Sequence, residues 1–307
     1  MNPLRAVARH PRFAALAGAM CITFSGIFYR WSEVSPSTGV VFRCLYGLPL
    51  LALAAWAERR ELGPMSPRTI RLSAFAGVFF AADLLTFHYV VDNIGAGLAT
   101  MMGNLQVIIV ALAAWAIWGE RPRRNVLVAL PIMLFGVVLI SGVVGGDAYG
   151  ANAPVGVAVG LVTAASYAGY LLVIRRATLE ARAAGPVTVA TAVTALVAAI
   201  FGSLIGDFDP VPALPAHAYL LALGVTSQSI GYILIQISLP RLPAVLTSAI
   251  LLTQPVMTVL FAAVLLQEAP SAGQVAGVAL VVAGLALATG AIARVRDDLR
   301  GTFAPAG

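Results

Sequence analysis

Apolar residues fall in blocks of about 20, the length a helix needs to cross the ~30 Å hydrocarbon core of a bilayer. Such blocks must be helical, because lipid offers no partner for a free backbone N–H or C=O. A transmembrane β-barrel needs short alternating segments instead, and the long Ala/Leu/Val/Gly runs of this chain do not alternate. Charge agrees with the block pattern. Only 10% of the 307 residues are charged, against about 25% in a soluble domain, and the mean hydropathy is +0.92.

The segments lie near 13–30, 37–57, 71–91, 96–118, 126–144, 154–174, 187–205, 217–238, 244–266 and 273–293. Ser35-Pro36-Ser37, Gly63-Pro64, Arg121-Pro122, Asn152-Ala153-Pro154, Gly185-Pro186, Asp209-Pro210 and Pro240 through Pro243 punctuate them. The start, with Arg5, Arg9 and Arg12, is read as a retained first helix because the apolar run after it is long for a signal peptide. Cys21 and Cys44 fall inside segments, so no disulfide framework is expected. All 19 basic residues are arginine. With the N-terminus inside, only Arg30 falls in an outer connector and Arg43 within a segment. The positive-inside rule therefore predicts ten spans in the cytoplasmic membrane with both termini cytoplasmic. These arginines sit in short connectors rather than one patch, which argues against a nucleic-acid partner.

An offset of 148 residues aligns 98–142 with 246–290 without a gap. Gln106 meets Gln254, Glu120 meets Glu268, Pro122 meets Pro270, and Gly136 and Gly142 meet Gly284 and Gly290. The repeat unit holds five segments, an odd number, so the second copy must insert upside down. The arginines around the first connector (Arg121, Arg123, Arg124) are absent from the second, as inversion requires. The fold class read from this is an all-α integral membrane protein of ten transmembrane helices in two inverted five-helix repeats. Residues 1–12 form a cytoplasmic N-terminus, 13–144 and 154–293 the two repeats, and 294–307 a cytoplasmic tail. Inverted repeats are a transporter signature, since two exchangeable halves provide two access states around one site.

Two five-helix halves, each with a Glu-x-Pro connector (Glu120/Pro122 and Glu268/Pro270) and a Gly-rich last helix, resemble the EamA-type branch of the drug/metabolite transporter superfamily. The resemblance covers residues 13–293 and implies a small-molecule transporter, with export of amino acids or related metabolites as the expected direction. It departs from the pattern of exact halves at one place: Val107 stands where the second half has Pro255, so a helix break after Gln254 is not expected to be mirrored. Related small multidrug antiporters use a Glu in the first helix, where this chain has Cys21, Thr23 and Ser25.

Ionisable groups inside a membrane are functional candidates by default. Arg43 and Asp83 lie about 9 Å and about 12 Å below the outer end of their helices, level enough to pair. That pair is either architectural or linked to substrate. In the second reading Arg43 binds a substrate carboxylate through its fork and Asp83 accepts the arginine when the site is empty. Asp83 and His88 are candidate proton relays, His88 lying nearer the outer surface. Asn104, Gln106, Tyr167, Tyr170, Gln228 and Gln254 fall near mid-membrane and are read as lining a polar cavity for a small metabolite. Glu120 and Glu268, beside prolines at helix ends, are read as structural, at the start of the next helix. No cofactor or metal is expected. The competing classes are an integral-membrane enzyme and a non-transporting lipid or signalling protein. The enzyme reading lacks any His-Glu-x-x-His, Gly-x-Ser-x-Gly or Walker motif.

Overall fold

A computed structural model of the chain describes residues 10–119, 121–142, 148–177, 182, 184–238, 242 and 244–289. Glu120, Gly290 and the ends 1–9 and 294–307 lie outside the described residues, which contain helices and no strand. The first segment folds as α1 (Pro11–Thr23) and α2 (Ser25–Ser32), and the second as α3 (Pro36–Leu62). The third and the start of the fourth form α4 (Pro67–Gly103), and the rest of the fourth is α5 (Gln106–Trp118). Then follow α6 (Arg124–Ile140), α7 (Ala153–Ala177), α8 (Ala184–Ile205), α9 (Leu214–Ala222), a π-helix (Leu223–Gly231) and α10 (Tyr232–Ser238). The last two are α11 (Ala244–Leu265) and α12 (Ala272–Ala288). Among the described residues, six helical stretches are long and apolar enough to cross a bilayer by themselves, and four shorter apolar helices accompany them.

Local chemistry sets the helix starts. Ser35 and Ser66 accept hydrogen bonds from the N–H groups of Thr38 and Thr69, each followed by a proline at the first helical position. Ser271 and Gln274 form a capping box at the head of α12. Inside α4 the chain changes direction at Gly95, whose φ of 85° and ψ of 164° suit a residue without Cβ. Large apolar side chains are found both inside and on the outer face, as lipid allows. Small residues such as Ala15, Ala19, Ala76, Ala129 and Ala190 are fully enclosed, while Leu204, Ile117 and Phe135 face outward.

The helix contacts are reciprocal between the halves. α6 packs on α12 and α3 on α8, each helix against its own counterpart. α4 packs on α7 as α10 packs on α1, and α5 on α7 as α11 on α1. The α6–α12 crossing is the tightest to read. A Cβ added at Gly136 would sit 2.7 Å from the Gly277 carbonyl oxygen, and one at Gly284 3.3 Å from that of Ala129. The repeat offset carries Gly136 to Gly284 and Ala129 to Gly277. One contact is therefore the exchanged copy of the other, and the two helices run antiparallel, as in a two-fold self-complementary interface.

The α3–α8 pair is tied at both ends. Asp207, after α8, accepts the Ser37 N–H at the head of α3 at 3.0 Å. Glu58, near the end of α3, accepts the Ala184 and Gly185 N–H groups at 3.1 and 2.7 Å. Arg182 donates to the carbonyl oxygens of Leu62 and Gly63 at the tail of α3. Carboxylates at helix heads and a guanidinium at a helix tail complement the helix dipole.

Candidate functional site

Between the two halves lies a cavity of about 380 Å³. Seven of the eight substrate-binding residues read from the sequence line it: Arg43 on α3, Asp83 and Asn104 on and just after α4, Gln106 on α5, Tyr167 and Tyr170 on α7, and Gln254 on α11. The cavity continues past Ile235 and Thr289, toward the end of the bundle that carries the chain's start. A second recess of about 540 Å³ lies at the opposite end, beside Glu33, Asp207 and Asp209. There the Asp207 and Asp209 carboxylates already serve backbone N–H groups of Ser37 and Val211. The inner cavity, whose charged groups are not so consumed, is the functional candidate.

Three helix discontinuities converge on it. The first segment breaks at Phe24, next to Ser25; the fourth at Asn104 and Leu105; the eighth winds into the π-helix before Tyr232. Ser25, Asn104 and Tyr232 all line the cavity. π-Turns and broken helices recur at functional sites because they release backbone polar groups toward a ligand. The expectation about Pro255 is corrected here. α11 runs unbroken through Pro255, and it is the fourth segment, without proline, that breaks. The Asn104 amide donates to the Thr100 carbonyl oxygen at 2.8 Å, competing with the backbone ladder beside a permissive glycine, Gly103. The counterparts of Gly103 and Asn104 in the second half are Leu251 and Leu252, which continue a helix readily.

Arg43 is 2% exposed. Its Nε donates to Gln228 Oε1 at 2.8 Å and its Nη1 to Ser25 Oγ at 2.9 Å. Neither bond uses Nη2. No carboxylate among the described residues lies within the 4.0 Å of an ion pair, so the pairing expected with Asp83 is not formed. Asp83 lines the same cavity, and its side chain likewise makes no hydrogen bond among the described residues. Gln228 is the one of those eight residues placed elsewhere. It is fully buried behind Arg43, its oxygen on the guanidinium and its Nε2 on Thr191 Oγ1 at 3.0 Å. Sequence depth alone could not separate a residue facing the cavity from one behind it.

Part of the lining is aromatic. Tyr170 stacks on Phe80 with ring centroids 4.5 Å apart and on Tyr167 at 5.9 Å, and Tyr232 meets Phe80 edge-on at 5.7 Å. The Tyr170 hydroxyl is buried without a hydrogen-bond partner, an expensive state unless a ligand or water completes it. Tyr232 and Thr163 were not singled out in the sequence. For Tyr232 the sequence held no helix-face signal, because Gln228, four residues before it, faces away from the cavity across the π-helical stretch.

His88 does not reach the cavity. It is fully enclosed rather than near the surface, stacked on Tyr29 at 3.8 Å, with Nδ1 3.4 Å from the Pro36 carbonyl oxygen. Tyr29 in turn donates to Asp92, which also meets Arg30 at 3.3 Å. Glu268 is structural, but not at the start of its own next helix, where Ser271 and Gln274 act instead. Its carboxylate reaches across to the N–H groups of Ala96 and Gly97, at 2.6 and 3.1 Å.

Comparison with known proteins decides the family. The sequence model of the EamA-like transporter family matches residues 12–142 and again 154–290. The chain belongs to that family. A solved structure, described only as the crystal structure of a protein, superimposes on this EamA-like chain with a TM-score of 0.62 at 20% identity. The match covers 91% of this chain and 98% of the other, and it shows a shared fold. Among curated proteins none matches. The chain is thus an integral multi-pass membrane protein of a family whose members are transporters of small molecules.

Proposed function

We propose that this EamA-like protein is a secondary transporter that exports zwitterionic metabolites of the amino-acid class by alternating access around the central cavity. One observation carries the substrate class: a buried guanidinium with a free Nη2 and a carboxylate free of hydrogen bonds share one chamber of about 380 Å³. A buried charge without a partner is costly. Arg43 and Asp83 are complementary to a carboxylate and an ammonium on one small molecule, which would complete both. Gln106 and Gln254, equivalent by the repeat and both at the cavity, supply neutral hydrogen bonds. For proton coupling, Asp83 is favoured over His88, because it alone of the two meets the chamber.

Inversion of the two halves, 13–144 and 154–293, is supported by the reciprocal antiparallel crossing of α6 and α12. With the N-terminus cytoplasmic and the protein in the cell membrane, the cavity is open inward and closed outward. The test is flux of labelled amino acids in proteoliposomes containing this protein alone. Gln106→Ala and Gln254→Ala are each expected to raise the half-saturating concentration of the best substrate roughly tenfold, the effect of one buried hydrogen bond of about 1.4 kcal/mol. Absence of flux for every amino acid and related metabolite tried would remove this reading. Tyr170→Phe is expected to change substrate preference while leaving the protein's thermal midpoint unchanged or raised, because the lost hydroxyl has no hydrogen-bond partner among the described residues and its burial carries a cost.

A further inference from the structure

The contact between Glu268 and the head of the fourth segment has no local purpose. Glu268 is 8% exposed and belongs to the connector between α11 and α12. Its two oxygens accept from Ala96 and Gly97, in the other half of the molecule, 172 and 171 residues away. These N–H groups open the short helical stretch from Ala96 to Gly103 that ends at the Asn104 break beside the cavity. A carboxylate on the first free N–H groups of a helix gains both charge-assisted hydrogen bonds and the helix dipole.

The backbone is shaped to receive it. A Cβ at Gly95 would stand 2.6 Å from the Glu268 carboxylate carbon, and one at Gly97 3.3 Å from Oε2. Gly95 also has the positive φ. Two glycines therefore make the cradle. The second half does not carry the same cradle in its sequence, since Pro243 and Val245 stand at the positions equivalent to Gly95 and Gly97.

We propose that Glu268 is a latch, holding the bundle closed at the end opposite the N-terminus, and that opening there requires its release from Ala96 and Gly97. The inference rests on the transporter reading for its purpose. Its mechanical content stands apart. Release frees the segment Ala96–Gly103 from the second half at that end, and with it the wall that carries Asn104 into the cavity. The bundle is biased toward the access state that this contact holds closed.

The experiment measures the latch directly. Spin labels at Tyr89→Cys in the first half and Ala269→Cys in the second, both exposed and both toward the latched end, report the separation of the halves there, with Cys21 and Cys44 replaced by alanine. Glu268→Gln keeps the shape but turns one acceptor oxygen into an N–H₂ donor facing an N–H. It is expected to raise the ratio of wide to narrow separations about tenfold, the scale of one lost charge-assisted bond. Glu268→Asp keeps the charge, loses the reach, and is expected to shift the ratio in the same direction. An unchanged narrow distance in either folded variant would overturn the latch. Wild-type flux, measured beside it, judges the transporter reading on its own.

Discussion

Replacing Arg43 with alanine is expected to reduce flux in proteoliposomes by about 100-fold or more while the protein still inserts and purifies as a folded species. Truncating one partner of a buried, hydrogen-bonded charge pair costs about 2–5 kcal/mol, and here the missing partner is the proposed substrate carboxylate. The fold does not depend on the guanidinium in the same way. Arg43 makes no ion pair among the described residues, so its removal also relieves a desolvated charge. The cost inside the protein is confined to Gln228 Oε1 and Ser25 Oγ, which lose one donor each. Arg43→Lys is expected to fail nearly as badly. A lysine ammonium lacks the fixed fork that bonds Gln228, Ser25 and a substrate carboxylate in three directions together. Full flux through a well-folded Arg43→Ala protein would discard carboxylate binding at this residue.

Gly136→Leu is expected to do the opposite: to abolish folding rather than transport chemistry, with loss of monodisperse protein and a fall in thermal midpoint. A Cβ at Gly136 meets the backbone of Gly277 at 2.7 Å and the side chains of Val281 and Leu280 at 3.0 and 3.1 Å. Backbone cannot rotate aside as a side chain can, so α6 and α12 would have to separate. Overpacking a well-filled core costs about 1–3 kcal/mol where side chains yield, and more is expected where they do not. Gly277→Leu should fail similarly, because a Cβ there meets the Gly136 carbonyl oxygen at 2.5 Å. Gly119→Ala is the control, with nothing within 4 Å of its added Cβ although its φ of 70° is strained. A Gly136→Leu protein with wild-type thermal midpoint would show that the α6–α12 crossing is looser than these distances.

Much of this architecture is written in one dimension. Each of the apolar segments is mostly helix over its described residues, because span length and backbone satisfaction in lipid leave little else. The 148-residue repeat made Gln106 and Gln254 partners before any contact was known, and both meet the cavity. Depth counting at 1.5 Å per residue brought Arg43 and Asp83 to one level, and they share one chamber. These are properties of distance along the chain.

Direction around a helix axis was beyond such counting. Gln228 lies at the right depth and turns behind Arg43; His88 turns onto Tyr29; Tyr232 turns into the chamber. Those orientations depend on which neighbour each face packs against. The same holds for the helix breaks, where Pro255 drew attention and Gly103-Asn104 produced the break. An Asn beside a Gly interrupts a helix only when its amide finds a nearby carbonyl, and a proline is absorbed when surrounding helices hold the strand of backbone in place.

Composition and periodicity alone thus determined that the chain crosses a membrane as helices and is built twice over, since those follow from the solvent and from the order of residues. Tertiary structure alone decided that Arg43 forms no ion pair among the described residues and that Glu268 serves a helix 171 residues away, because both depend on how two halves meet in space.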